Sequence, residues 1–163
     1  MGKLQVIENK ILSISNLQKL LNIWRLKDQK IVFTNGCFDL LHPGHIDYLA
    51  KAADLGNKLV IGLNTDKSTS ALKGPSRPIT DERSRSQILA SFFFVDAVVL
   101  FDEPTPLNLI TSIKPDILVK GADYSIDQIV GADFVLANGG EVKTIAYLDG
   151  YSTTAIEKKI RNS

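Results

Sequence analysis

The sequence predicts an α/β protein built on a doubly wound parallel sheet, and three observations support this. Five short apolar runs alternate with helical patterns along the chain, which is typical of β-α-β units. The first four runs are continuously apolar, as expected for strands that are covered on both faces. The length of 163 residues is sufficient for one compact domain with its own core.

The strands and helices are predicted from local patterns. The strands are the apolar runs 31–33, 59–63, 97–100, 117–119 and 142–145. Helices are predicted where apolar residues recur at intervals of three and four. These segments are about 16–28, 43–53, 81–92, the stretch after Pro104, 130–138, and the stretch from about 153. Ser15 and Gln18 form a plausible capping box at the start of the first helix.

The N-terminal segment differs from the rest of the chain because it precedes the first strand. Residues 1–29 are predicted to form a helical extension outside the alternating core, and residues 30–163 the main domain. The apolar face of the extension includes Trp24. This face packs either on the core or across a dimer, and the sequence leaves both possibilities open.

Composition excludes several classes of protein. The 19 basic and 18 acidic residues leave a formal net charge of +1, and no basic run is present, so binding to nucleic acid is not expected. No apolar stretch reaches the roughly 20 residues of a membrane-spanning helix. The start of the chain has no apolar signal-peptide block. The single cysteine, Cys37, cannot form an internal disulfide, which suits a reducing compartment. We therefore expect a cytoplasmic protein.

The strongest functional signal is the segment 34–45, TNGCFDLLHPGH, which follows the first strand and leads into a helix. A helix start presents free N–H groups and a partial positive charge, and both favour phosphate. Gly44 lets the backbone approach a ligand closely. His42 and His45 are the only histidines of the chain, and their spacing lets both face the same anion. The segment predicts a phosphate site.

The segment is compatible with two other interpretations. A metal site is a rival because histidine ligands often come in pairs. The spacing is not the helical His-x-x-x-His of zinc enzymes, and no Cys/His cluster completes it, so no protein metal site is predicted. Cys37 with a histidine suggests a Cys-His hydrolase, but a phosphate-binding helix start explains more of the segment.

Four further polar segments fall near predicted strand ends or a helix start. They are NTD at 64–66, LKGPSRP at 72–78 with DER at 81–83, VKGADY at 119–124, and GYSTT at 150–154. Taken singly, three of these segments have simpler interpretations. The segment 72–78 is also compatible with a solvated loop, 119–124 with a turn that contains a salt bridge, and 150–154 with an ordinary helix N-cap. Ligands of open parallel sheets bind beyond the carboxyl ends of the strands, so we expect these segments to share one site.

Taken together, the segments resemble the H-x-G-H nucleotidyltransferase superfamily, in its cytidylyltransferase-like branch, over roughly residues 30–162. The closest resemblance is to the adenylyltransferases of ADP-heptose synthesis, which implies a Rossmann-like fold. By this resemblance the catalytic residues are His42, His45 and Lys73. The implied nucleotide-binding residues are Asn35, Gly36, Cys37, Phe38, Gly44, His45, Lys120, Gly121, Asp123, Ser152, Thr153 and Thr154. The implied residues that bind the second substrate are Asp39, Asn64, Asp66, Lys73 and Arg83.

The resemblance implies transfer of AMP from ATP to a heptose 1-phosphate, with release of pyrophosphate, for lipopolysaccharide or surface glycan synthesis. It also implies Mg²⁺ held mainly by substrate phosphates, and a homodimer. We expect a stand-alone form, without the kinase domain of the bifunctional enzymes. Asp39 either orients the acceptor hydroxyls or supports the metal, or else it caps a turn, and these roles stay open.

Two departures from related sequences bear on the substrate. Ala122 stands where related sequences typically have Gly. The alternative enzyme is a cytidylyltransferase that acts on CTP and glycerol 3-phosphate. Glycerol-phosphate cytidylyltransferases carry Arg at the position of Tyr147, which argues against this alternative. A non-catalytic nucleotide-binding regulator is the alternative from another class.

Overall fold

In this computed structural model, which describes residues 2–162, five parallel strands form one sheet. The strands are β1 (Ile31–Gly36), β2 (Lys58–Asn64), β3 (Ala97–Phe101), β4 (Ile117–Gly121) and β5 (Glu141–Ile145). Their spatial order is β3-β2-β1-β4-β5. All five predicted strands are therefore confirmed, each extended by one to three residues.

Eight α-helices surround the sheet within the described residues. They are α1 (Lys3–Glu8), α2 (Ile14–Leu26), α3 (Pro43–Ala53), α4 (Asp66–Lys73), α5 (Glu82–Ser91), α6 (Leu107–Ile113), α7 (Ala132–Ala137) and α8 (Thr153–Arg161), with a short 3₁₀ turn at Ile126–Gln128. The sequence missed α1, α4 and the 3₁₀ turn, because none of these elements has a buried apolar face that would show a helical period. The predicted cap of α2 was wrong: Ser13, not Ser15, is the N-cap, and its hydroxyl accepts the Asn16 N–H.

The sheet has an apolar core on each face. Alternate side chains of β1 show this, because Ile31 and Phe33 belong to one core and Val32 to the other. The first core also contains side chains of α2, α6 and α7, and the second contains side chains of α3 and α5. Both faces are covered, so the prediction of a doubly wound parallel sheet is confirmed.

The N-terminal extension is part of the first core. Leu17 and Leu21 of α2 are fully buried, and Trp24 is 9% exposed. Ile11 adds an isolated parallel bridge to Val98 of β3. Of the two possibilities that the sequence left open for this face, packing on the core is the one that the structure shows for Trp24, because the sheet supplies the apolar surface that the α2 face needs. The domain boundary between residues 29 and 30 stays a prediction.

The strand order places a crevice beside β1. The chain runs from β1 outward through β2 to β3 and then returns to β4 on the other side of β1. At such a reversal the connections leave in opposite directions, and the carboxyl ends of the strands border an open crevice.

Among residues 2–162, none of the helices combines the length and the apolar character that a membrane-spanning segment requires.

Candidate active site

A cavity of about 410 Å³ lies at the carboxyl ends of β1, β2 and β4. It brings together four of the predicted segments, 34–45, 64–66, 72–78 and 119–124. The lining residues are Asn35, Gly36, Cys37, Phe38, His45, Tyr48, Asn64, Leu72, Lys73, Lys120, Gly121, Tyr124 and Tyr147. The crevice at the strand ends is therefore lined by half of the candidate residues, and His42, Asp39 and Gly44 are not among the lining residues.

The two histidines lie at the start of α3. His42 is the N-cap residue, and its ring centroid lies 3.9 Å from that of His45. On its other side His42 stacks on Tyr151, with 6.4 Å between centroids. Gly44 makes this packing possible, because a Cβ at that position would lie 3.0 Å from His42 Cε1 and 3.2 Å from Tyr151 Cβ. The segment 150–154 thus reaches the site through Tyr151.

Both histidines are neutral at pH 7. Burial, with smaller contributions from His42 and Lys73, lowers the pKa of His45 from 6.5 to about 4. Burial also lowers the pKa of His42. The Nδ1 atom of each ring is buried and has no hydrogen-bond partner among the described residues. Buried polar atoms without a partner are uncommon in folded proteins, and a bound ligand is one way to provide the missing partner.

The lowered pKa of His45 predicts a loss of stability on acidification. Because this pKa falls from 6.5 to about 4 on folding, the unfolded chain takes up a proton between these values and the folded chain does not. The free energy of unfolding therefore decreases from pH 7 to pH 5, by about 1 to 2 kcal/mol after allowance for partial solvent exposure. Urea denaturation at the two pH values measures this change. We expect His45→Gln to reduce the pH dependence, and an unchanged dependence would contradict the assignment.

Two lysines add positive charge to the cavity. Lys73 is the last residue of α4 and is close enough to His45 to lower the pKa of that imidazole. Lys120 lies at the end of β4, with its Nζ 3.5 Å from the Asn35 carbonyl oxygen. Burial lowers the pKa of Lys120 to about 8, so its ammonium group is still largely charged at pH 7. The cavity is suited to an anion.

An aromatic wall closes the side of the cavity next to β4. The Tyr147 ring crosses Gly121 so closely that a Cβ at position 121 would lie 2.0 Å from the Tyr147 hydroxyl. The Tyr147 ring lies 6.0 Å from that of Tyr48, whose hydroxyl forms a 2.8 Å hydrogen bond with Thr34. Burial, together with Asp123, raises the pKa of Tyr147 to about 12. Both phenols stay protonated at neutral pH and offer flat apolar faces to a ligand.

Asp39 is buried, and its carboxylate holds the loop that follows α4. It accepts hydrogen bonds from the Arg77 guanidinium at 2.9 Å, from the Ile79 N–H at 2.9 Å, and from the Thr80 N–H at 3.1 Å and hydroxyl at 3.2 Å. Burial alone would raise the pKa of Asp39, but these hydrogen bonds lower it overall. The geometry therefore favours the turn-capping alternative over direct contact with the acceptor.

The structure does not place every predicted site residue at the cavity. Ser152 caps α8, and the Thr153 hydroxyl donates to the Asp39 carbonyl at 2.9 Å. Thr154, Arg83 and Asp123 are exposed and do not line the cavity. Asp66 accepts a hydrogen bond from Arg85, and its side chain does not line the cavity either. The substrate contacts that the sequence predicts for these residues stay predictions.

Sequence reasoning missed several residues of the site. Tyr48, Leu72, Tyr124 and Tyr147 line the cavity, and Arg85 is fully buried behind it. One signal was present for Tyr48, which follows His45 by three positions on the same face of α3. Arg85 shares the buried face of α5 with Leu89, and a charged residue on an apolar face is an exception that points to a specific role.

The described residues contain no group of three or more His, Cys, Asp and Glu side chains suited to hold a metal ion. The most buried carboxylate near the cavity, that of Asp39, already accepts hydrogen bonds from three residues. A cation at this site would therefore depend on ligand oxygens for most of its coordination.

The fold and the site together define an α/β protein with two half-buried histidines at a helix start and a cavity lined by two lysines at the strand ends. A family model described as cytidylyltransferase-like matches residues 33–159. The chain belongs to the cytidylyltransferase-like family, and the predicted nucleotidyltransferase class is confirmed.

Individual relatives agree with this assignment. Bifunctional protein HldE of Paramagnetospirillum magneticum is 51% identical over 156 residues, which cover 96% of this chain and 32% of that protein. HldE of Methylobacillus flagellatus is 50% identical over 93% of this chain and 31% of its own length. The chain thus spans about a third of the length of these curated relatives.

Two solved structures share the fold of this chain. The lipopolysaccharide core biosynthesis protein from Thermoplasma volcanium is 31% identical with a TM-score of 0.59, over 76% of this chain and 99% of that one. Pantoate-beta-alanine ligase from Francisella tularensis has a TM-score of 0.62, over 93% of this chain and 76% of that one. Its 18% identity shows similarity of fold alone.

Proposed function

We propose that the chain transfers AMP from ATP to a heptose 1-phosphate, forming ADP-heptose and pyrophosphate for lipopolysaccharide or surface glycan synthesis. The observation that carries the proposal is the pair of neutral histidines at the start of α3, each with a buried Nδ1 that has no hydrogen-bond partner among the described residues. Of the two, His45 lines the cavity together with Lys73 and Lys120. The resemblance to adenylyltransferases of ADP-heptose synthesis supports the choice of substrate. So does the 31% identity to a lipopolysaccharide core biosynthesis protein.

The reaction needs no nucleophilic side chain. A phosphomonoester has a second pKa of roughly 6, so the sugar phosphate is already a nucleophile at neutral pH. One of its oxygens forms a bond to the α-phosphorus of ATP, and the bond from that phosphorus to the α-β bridging oxygen breaks. The protein aligns the two groups and stabilises the charge on pyrophosphate as it leaves. His42 and His45 donate hydrogen bonds to phosphate oxygens, and Lys73 and Lys120 provide positive charge.

Magnesium belongs to the same proposal. The described side chains offer no cluster of three ligands, which fits an ion carried by substrate phosphates and water. Mg²⁺ would neutralise charge on the phosphates as pyrophosphate leaves. A cytoplasmic homodimer is also proposed, and the support for the dimer is the family resemblance.

Pyrophosphate release tests the proposal. The purified chain is assayed with Mg²⁺ and each of ATP, GTP and CTP, against heptose 1-phosphates of both anomers and glycerol 3-phosphate. We expect release with ATP and a heptose 1-phosphate only, and release should stop when EDTA removes the metal. Turnover with CTP and glycerol 3-phosphate would overturn the substrate. No release with any pair, with nucleotide binding retained, would instead favour the regulator.

A further inference from the structure

Arg85 is a charged residue in an apolar setting, and the reaction described above does not use it. Its side chain is fully buried in the middle of α5. Burying a guanidinium is costly unless hydrogen bonds replace its lost water. The partners that replace this water belong to the ends of β1 and β2 and to the loops beside the cavity.

Four acceptors surround the Arg85 guanidinium. Nη1 donates to the carbonyl oxygens of Cys37 at 2.6 Å and Asn64 at 2.8 Å. Nε donates to the Thr80 carbonyl oxygen at 2.9 Å, and Nη2 donates to the Asp66 carboxylate at 2.7 Å. One side chain therefore joins the segment after β1, the last residue of β2, and both ends of the segment formed by α4 and its following loop.

These carbonyl groups matter because of where they lie. Parallel strands end with backbone carbonyls that have no partner within the sheet, and this edge is the one that receives anionic phosphates. Cys37 and Asn64 both line the cavity. The guanidinium binds both of their carbonyl oxygens, which fixes these dipoles and offsets their negative ends beside the anion site.

The backbone next to Cys37 needs such support. Phe38 and Leu40 adopt φ angles of 47° and 50°, in the left-handed region that residues other than glycine rarely occupy. Residues in such conformations persist where the surrounding structure holds them. Arg85 holds this segment at the Cys37 carbonyl, just before Phe38, and Phe38 packs edge-on against His45 with 5.6 Å between ring centroids.

We propose that Arg85 is a positioning residue that sets the shape and potential of the anion site through the carbonyl groups of Cys37 and Asn64. The proposal rests on the proposed function for the identity of the substrates, but the geometry concerns any phosphate ligand of the cavity. Lysine cannot replace arginine here, because a single ammonium group does not reproduce the planar fork that serves four acceptors.

Arg25 provides a control away from the cavity. Its guanidinium also donates to backbone carbonyls, those of Ile113 and Lys114. These carbonyls lie at the end of α6, shortly before β4, and so at the opposite edge of the sheet. Arg25 is exposed whereas Arg85 is buried, so Arg25→Lys controls for the loss of carbonyl hydrogen bonds far from the cavity, and the comparison is made on folded protein only.

The experiment measures binding of ATP with Mg²⁺ by titration calorimetry and kcat/KM with the heptose 1-phosphate, both per mole of folded protein. For Arg85→Lys we expect a Kd for ATP raised at least about 10-fold and kcat/KM lowered about 100-fold, as for a displaced site. Arg25→Lys should stay within about 2-fold of the wild type on both measures. Wild-type values for folded Arg85→Lys would overturn the proposal.

A rescue experiment separates positioning from general packing. Arg85 also lines a second cavity of about 290 Å³ on the other side of the Phe38 segment, so a small cation has a route to the vacated space in Arg85→Ala. We expect ethylguanidinium to recover at least about 10-fold in kcat/KM for Arg85→Ala and nothing for Arg25→Ala. If Arg85→Ala does not fold, the measurements on Arg85→Lys decide whether Arg85 is a positioning residue. If the wild type binds ATP but does not use a heptose 1-phosphate, the proposed substrate is wrong. The Kd for ATP of the Arg85 variants then still tests the positioning role.

Discussion

His45→Ala is expected to lower kcat by about 10²- to 10³-fold while changing the Kd for ATP by less than about 3-fold. The His45 imidazole is neutral, with a pKa of about 4, so it acts as a hydrogen-bond donor and adds little charge attraction to bound nucleotide. A donor aimed at developing negative charge contributes mainly to the transition state, and removal of one such donor costs about this factor. Steady-state kinetics with titration calorimetry measures both quantities.

Two variants control this result. His45→Gln keeps an N–H donor on a side chain of similar reach, and we expect it to recover part of the lost kcat. Lys51→Ala removes an exposed partner of Asp47 on the same helix and should leave kcat unchanged. Equal losses in kcat and in ATP affinity for His45→Ala would mean that His45 only binds the nucleotide.

Asp39→Asn is expected to lower the free energy of unfolding by about 3 kcal/mol and kcat/KM by about 100-fold. The carboxylate is fully buried and accepts hydrogen bonds from Arg77, Ile79 and Thr80. An amide places donor hydrogens against several of these donors and removes the charge pair with Arg77, which keeps Glu157 as an acidic partner. Breaking a buried charge pair costs about this much. Activity falls because the loop that follows Lys73 loses its anchor.

The same variant decides between the two roles of Asp39. If the carboxylate binds the acceptor directly, Asp39→Asn will raise the KM for the sugar phosphate and leave the urea midpoint unchanged. If it anchors the loop, both the midpoint and the activity fall. Asp47→Asn is the matched control, because its carboxylate forms an exposed pair with Lys51 and should change stability by less than about 1 kcal/mol.

The first four strands were predictable because each contains a continuous apolar run, which is expected for a strand covered on both faces. The run from Leu59 to Leu63 is buried on both faces, so its sequence has no polar interruption. The failures have equally local causes. The helix α4 (Asp66–Lys73) has only two buried residues, both small and polar, Ser68 and Thr69, so it carries no apolar period. The burial of α2 depends on the sheet face that it meets, which its own pattern does not identify.

Within the site, the sequence identified the residues that carry chemistry but not the residues that hold them. His42 and His45 could be found because histidine is scarce in this chain and two flank a helix start. Asp39 was found with its role undecided, because only the fold shows that it faces Arg77. Arg85 was missed because its partners are backbone carbonyls of residues distant in sequence. Such partners leave no pattern of residue types.

An isotope-labelling measurement tests the central claim most directly. Heptose 1-phosphate carrying ¹⁸O in its three terminal phosphate oxygens is incubated with the protein, ATP and Mg²⁺. The products are then separated, and their masses are measured by mass spectrometry. Attack by the sugar phosphate on the α-phosphorus predicts ADP-heptose that retains all three labels, together with unlabelled pyrophosphate. Label in the pyrophosphate, or no nucleotide sugar at all, would contradict the account.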